Sequence, residues 1–177
     1  FDGLQPYGSW SVVASADGWT TTGGPGIELQ NNVAGWPGSG GASGVFVELD
    51  SHANSTMSRT ISGSGRYILE FLYSPRPGIA STSNGVLVSM NGQALAPAFT
   101  AQGGQNSVWS LKTIEFVAPT SNWQLSFSGV GRSDSLGGYV DNIRLTAVPE
   151  PATWAMMIMG FGAAGALLRR RRALAAG

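Results

Sequence analysis

The chain has 177 residues with ten Lys and Arg against ten Asp and Glu, so only 11% of it is charged and its formal net charge is zero. A hydrophobic content of 42%, set against 26 Gly and 21 Ser, is enough for a packed core and excludes intrinsic disorder; the length fits one domain with an appendage. The single lysine, Lys112, and the lack of a basic stripe exclude nucleic acid as the partner, while the absence of cysteine excludes thiol catalysis, Cys-ligated zinc and a disulfide framework.

Up to Ala147, short apolar runs recur between clusters of Gly, Ser, Asn and Pro, with no helical period of useful length. They predict strands near 9–14, 26–30, 44–50, 55–61, 66–73, 85–91, 108–118, 123–128 and 139–146, a spacing that predicts an antiparallel β-sandwich over residues 1–147. Tyr67, Leu69, Phe71 and Tyr73 share one face of their strand, with Glu70 on the other. Asn91-Gly92 predicts a tight turn. Trp123, Leu125 and Phe127 alternate with Gln124, Ser126 and Ser128, which places the first set on a core and the second in water.

In the last strand a regular pleat puts Asp141 on the face of Ile143 and Leu145, directing a carboxylate inward, where an unpaired charge is costly. Two arrangements answer that cost. A calcium ion takes oxygen ligands from Asp141 with Glu28 or Asp50; alternatively Asp141 is hydrogen-bonded in place or paired with Arg144 or Arg66. The segment from Ser133 to Gly138 has neither the lysine of a phosphate loop nor the acidic spacing of a calcium loop and reads as a solvated turn. Trp36, Trp109, and Tyr73 with Arg76 are candidates for stacking on sugar rings, against the commoner role of packing. His52, the sole histidine, reads as a surface turn, since the chain has no nucleophile-elbow motif. Glu48 and Glu70 are the strand carboxylates that a glycosidase would need to set about 5–5.5 Å apart for retention or about 6.5–9.5 Å apart for inversion. Strand glutamates ordinarily face solvent, which favours a protein that is not an enzyme.

The zero net charge is a cancellation. Residues 1–147 hold nine acids and six bases, a net of −3, whereas residues 148–177 hold Glu150 against Arg169, Arg170, Arg171 and Arg172, a net of +3. From Pro151 to Leu168 nothing is charged. Those eighteen residues reach roughly 27 Å as a helix, which arginine stems extend to a membrane span. Trp154 stands at an interfacial position, and the arginine block places the C-terminal end in the cytoplasm and residues 1–147 outside.

Pro149-Glu150-Pro151, Trp154-Ala155, the apolar Met/Gly-rich run and the arginine cluster resemble the PEP-CTERM sorting signal of Gram-negative bacteria. The resemblance implies export, transient anchoring in the inner membrane, recognition by an exosortase-type membrane protease, and release to the cell surface or an exopolysaccharide-rich, biofilm-associated matrix. Pro149, Glu150 and Pro151 would be the recognised motif, Trp154 to Leu168 the anchor and Arg169 to Arg172 the stop. The tail's logic also implies a secretion signal ahead of Phe1.

The body resembles secreted jelly-roll domains of the galactose-binding-like type. The matching stretches are Val47-Glu48-Leu49-Asp50-Ser51 with Asn54-Ser55-Thr56-Met57, Tyr73-Ser74-Pro75-Arg76-Pro77-Gly78, Asn84-Gly85 with Asn91-Gly92, and Ser133 to Asn142. This resemblance implies an extracellular sandwich that contacts polysaccharide and in some members carries structural calcium. The expected protein is an exported, non-enzymatic β-sandwich. A carbohydrate-active enzyme on the same scaffold, or an adhesive subunit that assembles through sheet edges, are the alternatives.

Overall fold

The computed structural model describes residues 1–33, 38, 44–119, 121–149, 159 and 161. The strands are β1 (Ser9–Val13), β2 (Ser15–Ala16), β3 (Trp19–Gly23), β4 (Ile27–Asn31), β5 (Val45–Glu48), β6 (Thr56–Ser62), β7 (Gly65–Ser74), β8 (Gly85–Met90), β9 (Gln93–Ala94), β10 (Ser110–Ala118), β11 (Asn122–Val130) and β12 (Tyr139–Val148). They form two six-stranded sheets, ordered β1-β4-β5-β12-β7-β10 and β2-β3-β6-β11-β8-β9, with every pairing antiparallel. The predicted sandwich is present, and each of the nine expected strands has a counterpart. Three short or polar strands, β2, β3 and β9, were not expected.

The core lies where the two-residue period of the strands sends alternate side chains between the sheets. From the first sheet come Ile27, Leu29, Val45, Val47, Tyr67, Leu69, Phe71 and Val140; from the second, Trp19, Met57, Val86, Val88, Trp123, Leu125 and Phe127. Phe127 is fully buried and meets Trp19 and Phe71 edge-on, with ring centroids 5.4 and 5.1 Å away. Asn91-Gly92 forms the expected turn between β8 and β9, both residues left-handed at φ 50° and 79°.

Two expectations about faces change. Ser126 is buried rather than solvated, because hydroxyls on the outer face of the second sheet satisfy one another: Ser58 Oγ lies 2.7 Å from Thr22 Oγ1 and 2.8 Å from Ser126 Oγ. More consequentially, Asp141 does not share a face with Ile143 and Leu145. Asp141 is opposite Leu72 in β7, but Arg144 is opposite Glu70, so β12 carries one extra residue, with Asn142 left-handed at φ 49°. This β-bulge shifts the phase. Val140 before it and Ile143 and Leu145 after it face the core, and Asp141 faces outward.

Of the sorting segment, Glu150, Pro151, Trp154 and Arg169 to Arg172, with most of the predicted membrane span, lie outside the described residues. Among the described residues no helix is long and apolar enough to cross a membrane.

Candidate functional site

Antiparallel register places residues of one face in rows across the first sheet. One row on its outer face is Glu28 of β4, Glu48 of β5, Tyr139 of β12 and Ser74 of β7. The neighbouring row is Trp10 of β1, Gln30 of β4 and Phe46 of β5. Two carboxylates therefore face each other across one ladder, an arrangement that repels unless something intervenes. Gln30 intervenes: its amide nitrogen donates to Glu28 Oε1 at 2.7 Å and to Glu48 Oε2 at 2.5 Å.

Arg76 supplies the opposite charge. It follows β7 in the segment Pro75-Arg76-Pro77-Gly78, and fully buried Asn84 fastens that segment. Asn84 Oδ1 accepts from the Arg76 amide at 2.9 Å, while its Nδ2 donates to the carbonyls of Ile79 and Ala101. So held, Arg76 turns back over the sheet end and its Nη1 donates to Glu48 Oε1 and Oε2 at 2.7 and 2.6 Å. Glu48 is fully buried, and the Gly137 amide donates to its Oε1 at 2.6 Å. A side chain at Gly137 would meet the Asp50 Cβ at 2.9 Å, so the close approach needs a glycine.

Burial dominates the electrostatics. It pushes the Glu48 carboxyl up to about 8, with Glu28 adding to the rise and Arg76 opposing it. Burial raises Glu28 as well, against the hydrogen bond from Gln30 and the positive field of Arg76. Tyr139, whose buried hydroxyl has no partner among the described residues, is driven further above its usual range by the same loss of water.

Glu28, Gln30 and Arg76 border a cleft of about 280 Å³, which Trp10, Val33, Ser51, His52 and Ser135 also line. Trp10 is 51% exposed and stands edge-on to His52, ring centroids 6.4 Å apart. Glu28 Oε2 accepts no hydrogen bond from the described residues. The buried Ser51 Oγ is likewise without a partner among them. The cleft thus joins an open indole to an unpaired carboxylate oxygen, Glu28 Oε2.

The other expected residues fall as follows. Asp50 lies near Glu28, but its carboxylate is occupied: Oδ2 accepts from the amides of Asp134 and Leu136 at 3.0 and 3.4 Å, and Ser133 Oγ donates to Oδ1 at 3.5 Å. The loop from Ser133 to Gly138 is consequently no solvated turn; its amides serve Asp50 and Glu48. Asp141 sits further along β12 and its Oδ1 accepts the Asn142 amide at 2.7 Å. Glu28, Asp50 and Asp141 do not converge, and among the described residues no three His, Cys, Asp or Glu side chains could share a metal ion. Arg66 pairs with Glu115 at 3.4 Å rather than with Asp141.

Glu48 and Glu70 are not brought together, since β12 separates their strands and Glu70 faces Arg144. Tyr73 is core, its hydroxyl donating to the Asn84 carbonyl at 2.9 Å, and Trp109 packs on Phe46 and Tyr139. Trp36 lies outside the described residues. Gln30 and Trp10 were missed, and the only signal for them was their place in the pleat beside Glu28.

Residues 147–172 match the PEP-CTERM protein-sorting motif. Among curated proteins, the multifunctional-autoprocessing repeats-in-toxin of Vibrio vulnificus is 30% identical over 147 residues, which is 77% of this chain and 3% of that protein. The chain thus spans a very small part of that relative's length. Among solved structures, the CBM35, a family 35 carbohydrate-binding module, from Paenibacillus barcinonensis superposes with a TM-score of 0.50 at 21% identity, covering 80% of this chain and 100% of the module. The K1 cleaved adhesin domain of Lys-gingipain from Porphyromonas gingivalis gives 0.56 at 15% identity, with coverage of 80% and 100%. These likenesses establish a shared jelly-roll sandwich.

Proposed function

We propose that this chain is an exported, non-catalytic carbohydrate-binding protein: its sandwich holds glycan in the cleft beside Trp10, and its tail delivers it to the cell surface or matrix. The observation that carries the binding reading is the pairing of an exposed indole with the unpaired Glu28 Oε2 at one rim of the first sheet. Sugars present apolar ring faces that stack on an aromatic and hydroxyls that donate to carboxylates. The resemblance to a carbohydrate-binding module in fold supports the reading. A catalytic role fits the cleft poorly, because Glu48 is sealed beneath Arg76 and reaches no substrate.

The sorting motif supports export, transient anchoring in the inner membrane and recognition by an exosortase-type protease, with Pro149-Glu150-Pro151 as the motif read. The test of binding is a glycan panel against the chain and its Trp10→Ala and Glu28→Gln variants. Binding weakened about tenfold or more by Trp10→Ala, without change in melting temperature, is the expected result. An unaffected variant, or no glycan bound, rejects the cleft. For sorting, replacement of Pro149-Glu150-Pro151 by alanines is expected to leave the full-length chain in the membrane fraction. Unaltered release of the variant rejects recognition of that motif.

A further inference from the structure

Charge and hydrogen-bond capacity at the cleft narrow the ligand beyond "glycan". Three carboxylates, Glu28, Glu48 and Asp50, influence this end of the sheet, and Arg76 is committed to Glu48. Asp50 is occupied by loop donors, so the carboxylate acceptor left facing the cleft is Glu28 Oε2. Two basic side chains line the cleft, Arg76, whose Nη1 is taken up by Glu48, and His52, and Glu28 Oε2 accepts a hydrogen bond from neither. An ammonium group has three N–H donors and no acceptor, and an indole face attracts the same charge.

We propose that the cleft selects glycans bearing free amino groups, with a protonated sugar amine donating to Glu28 Oε2 while the sugar ring lies against Trp10. This rests on the carbohydrate-binding reading of the same cleft and adds its chemical class. A neutral hydroxyl can also donate to Glu28 Oε2, but it adds no positive charge to the field of Arg76 that already acts on this carboxylate. A hydroxyl on the carboxylate already makes a charge-assisted bond, but only the amine brings charge on both sides of it and so adds direct Coulomb attraction. A divalent cation suits the cleft less well, because the oxygens of Glu48 and Asp50 already accept from N–H and O–H groups.

The test is calorimetric titration of the full-length chain in mild detergent, at neutral pH, with three matched oligosaccharides: β-1,4-glucosamine, its N-acetylated form and β-1,4-glucose. The glucosamine oligomer is expected to bind about tenfold more tightly than the other two. Glu28→Gln is expected to abolish that preference, bringing the glucosamine oligomer down to the level of the neutral two, and exposed Trp10→Ala to weaken all three. Equal binding of neutral and amino oligomers, or a preference that survives Glu28→Gln, overturns the amine assignment and leaves the carbohydrate reading standing. A preference abolished by chelator also overturns it, in favour of a bridging metal ion. Failure of all three to bind overturns it too, and a negative neutral-glycan panel then removes the carbohydrate reading as well.

Discussion

Arg76 holds both oxygens of Glu48 with a single nitrogen, Nη1, at 2.7 and 2.6 Å, and Glu48 has no exposed surface. The pair is the keystone between the segment after β7 and the β4–β5 ladder. Removing the guanidinium leaves a buried carboxyl with only neutral donors. Arg76→Ala is therefore expected to cost about 3–5 kcal/mol in urea unfolding at alkaline pH. The loss should shrink under acidic conditions, where Glu48 takes up a proton.

Stability should fall as pH rises across the window that Glu48 spans. Its native carboxyl titrates at about 8 against a usual value of 4.5. Between those values the native state holds a proton that the unfolded chain has released, so the slope of stability with pH is negative. The contribution is fully present below the lower value and lost above the upper one. Glu28, also raised, adds the same sign. Urea midpoints measured across this range should decline, and Glu48→Gln should flatten most of the decline.

The bulge in β12 depends on Asn142 at φ 49°. Asparagine and glycine enter that left-handed region readily, whereas a β-branched residue does not. Asn142→Gly should leave thermal stability nearly unchanged, and Asn142→Val should cost about 1–2 kcal/mol.

Phe127 and Trp10 test the two sides of the molecule separately. Phe127→Ala empties a fully buried site between Trp19 and Phe71 and should cost about 3–5 kcal/mol. Trp10→Ala, at a half-exposed position, should stay within about 0.5 kcal/mol while reducing glycan binding. Chemical unfolding of both variants, paired with binding, checks the contrast.

The strands that build the core were legible because alternation such as Trp123, Leu125 and Phe127 declares both period and face. β3 was not, since Thr20, Thr21 and Thr22 carry no apolar stripe; it forms because β6 offers it a partner. The site was half legible. Glu28 and Arg76 were visible as a candidate carboxylate and a proline-framed arginine, but their meeting at Glu48 depends on which strands are neighbours, which no local pattern states. The inward reading of Asp141 failed for a similar reason: one left-handed residue, Asn142, inverts the faces that follow it.

β12 has a consequence for how the cleft is presented. The strand begins at Tyr139, beside Glu48, and ends at Val148, the second residue of the segment that matches the sorting motif. Ten residues of strand extend roughly 30 Å. The cleft and the sorting motif therefore stand at opposite ends of one strut, a domain's length apart, and on the proposed function a copy still anchored by its tail holds its cleft that far from the membrane, with the sheet bearing any pull along its own axis.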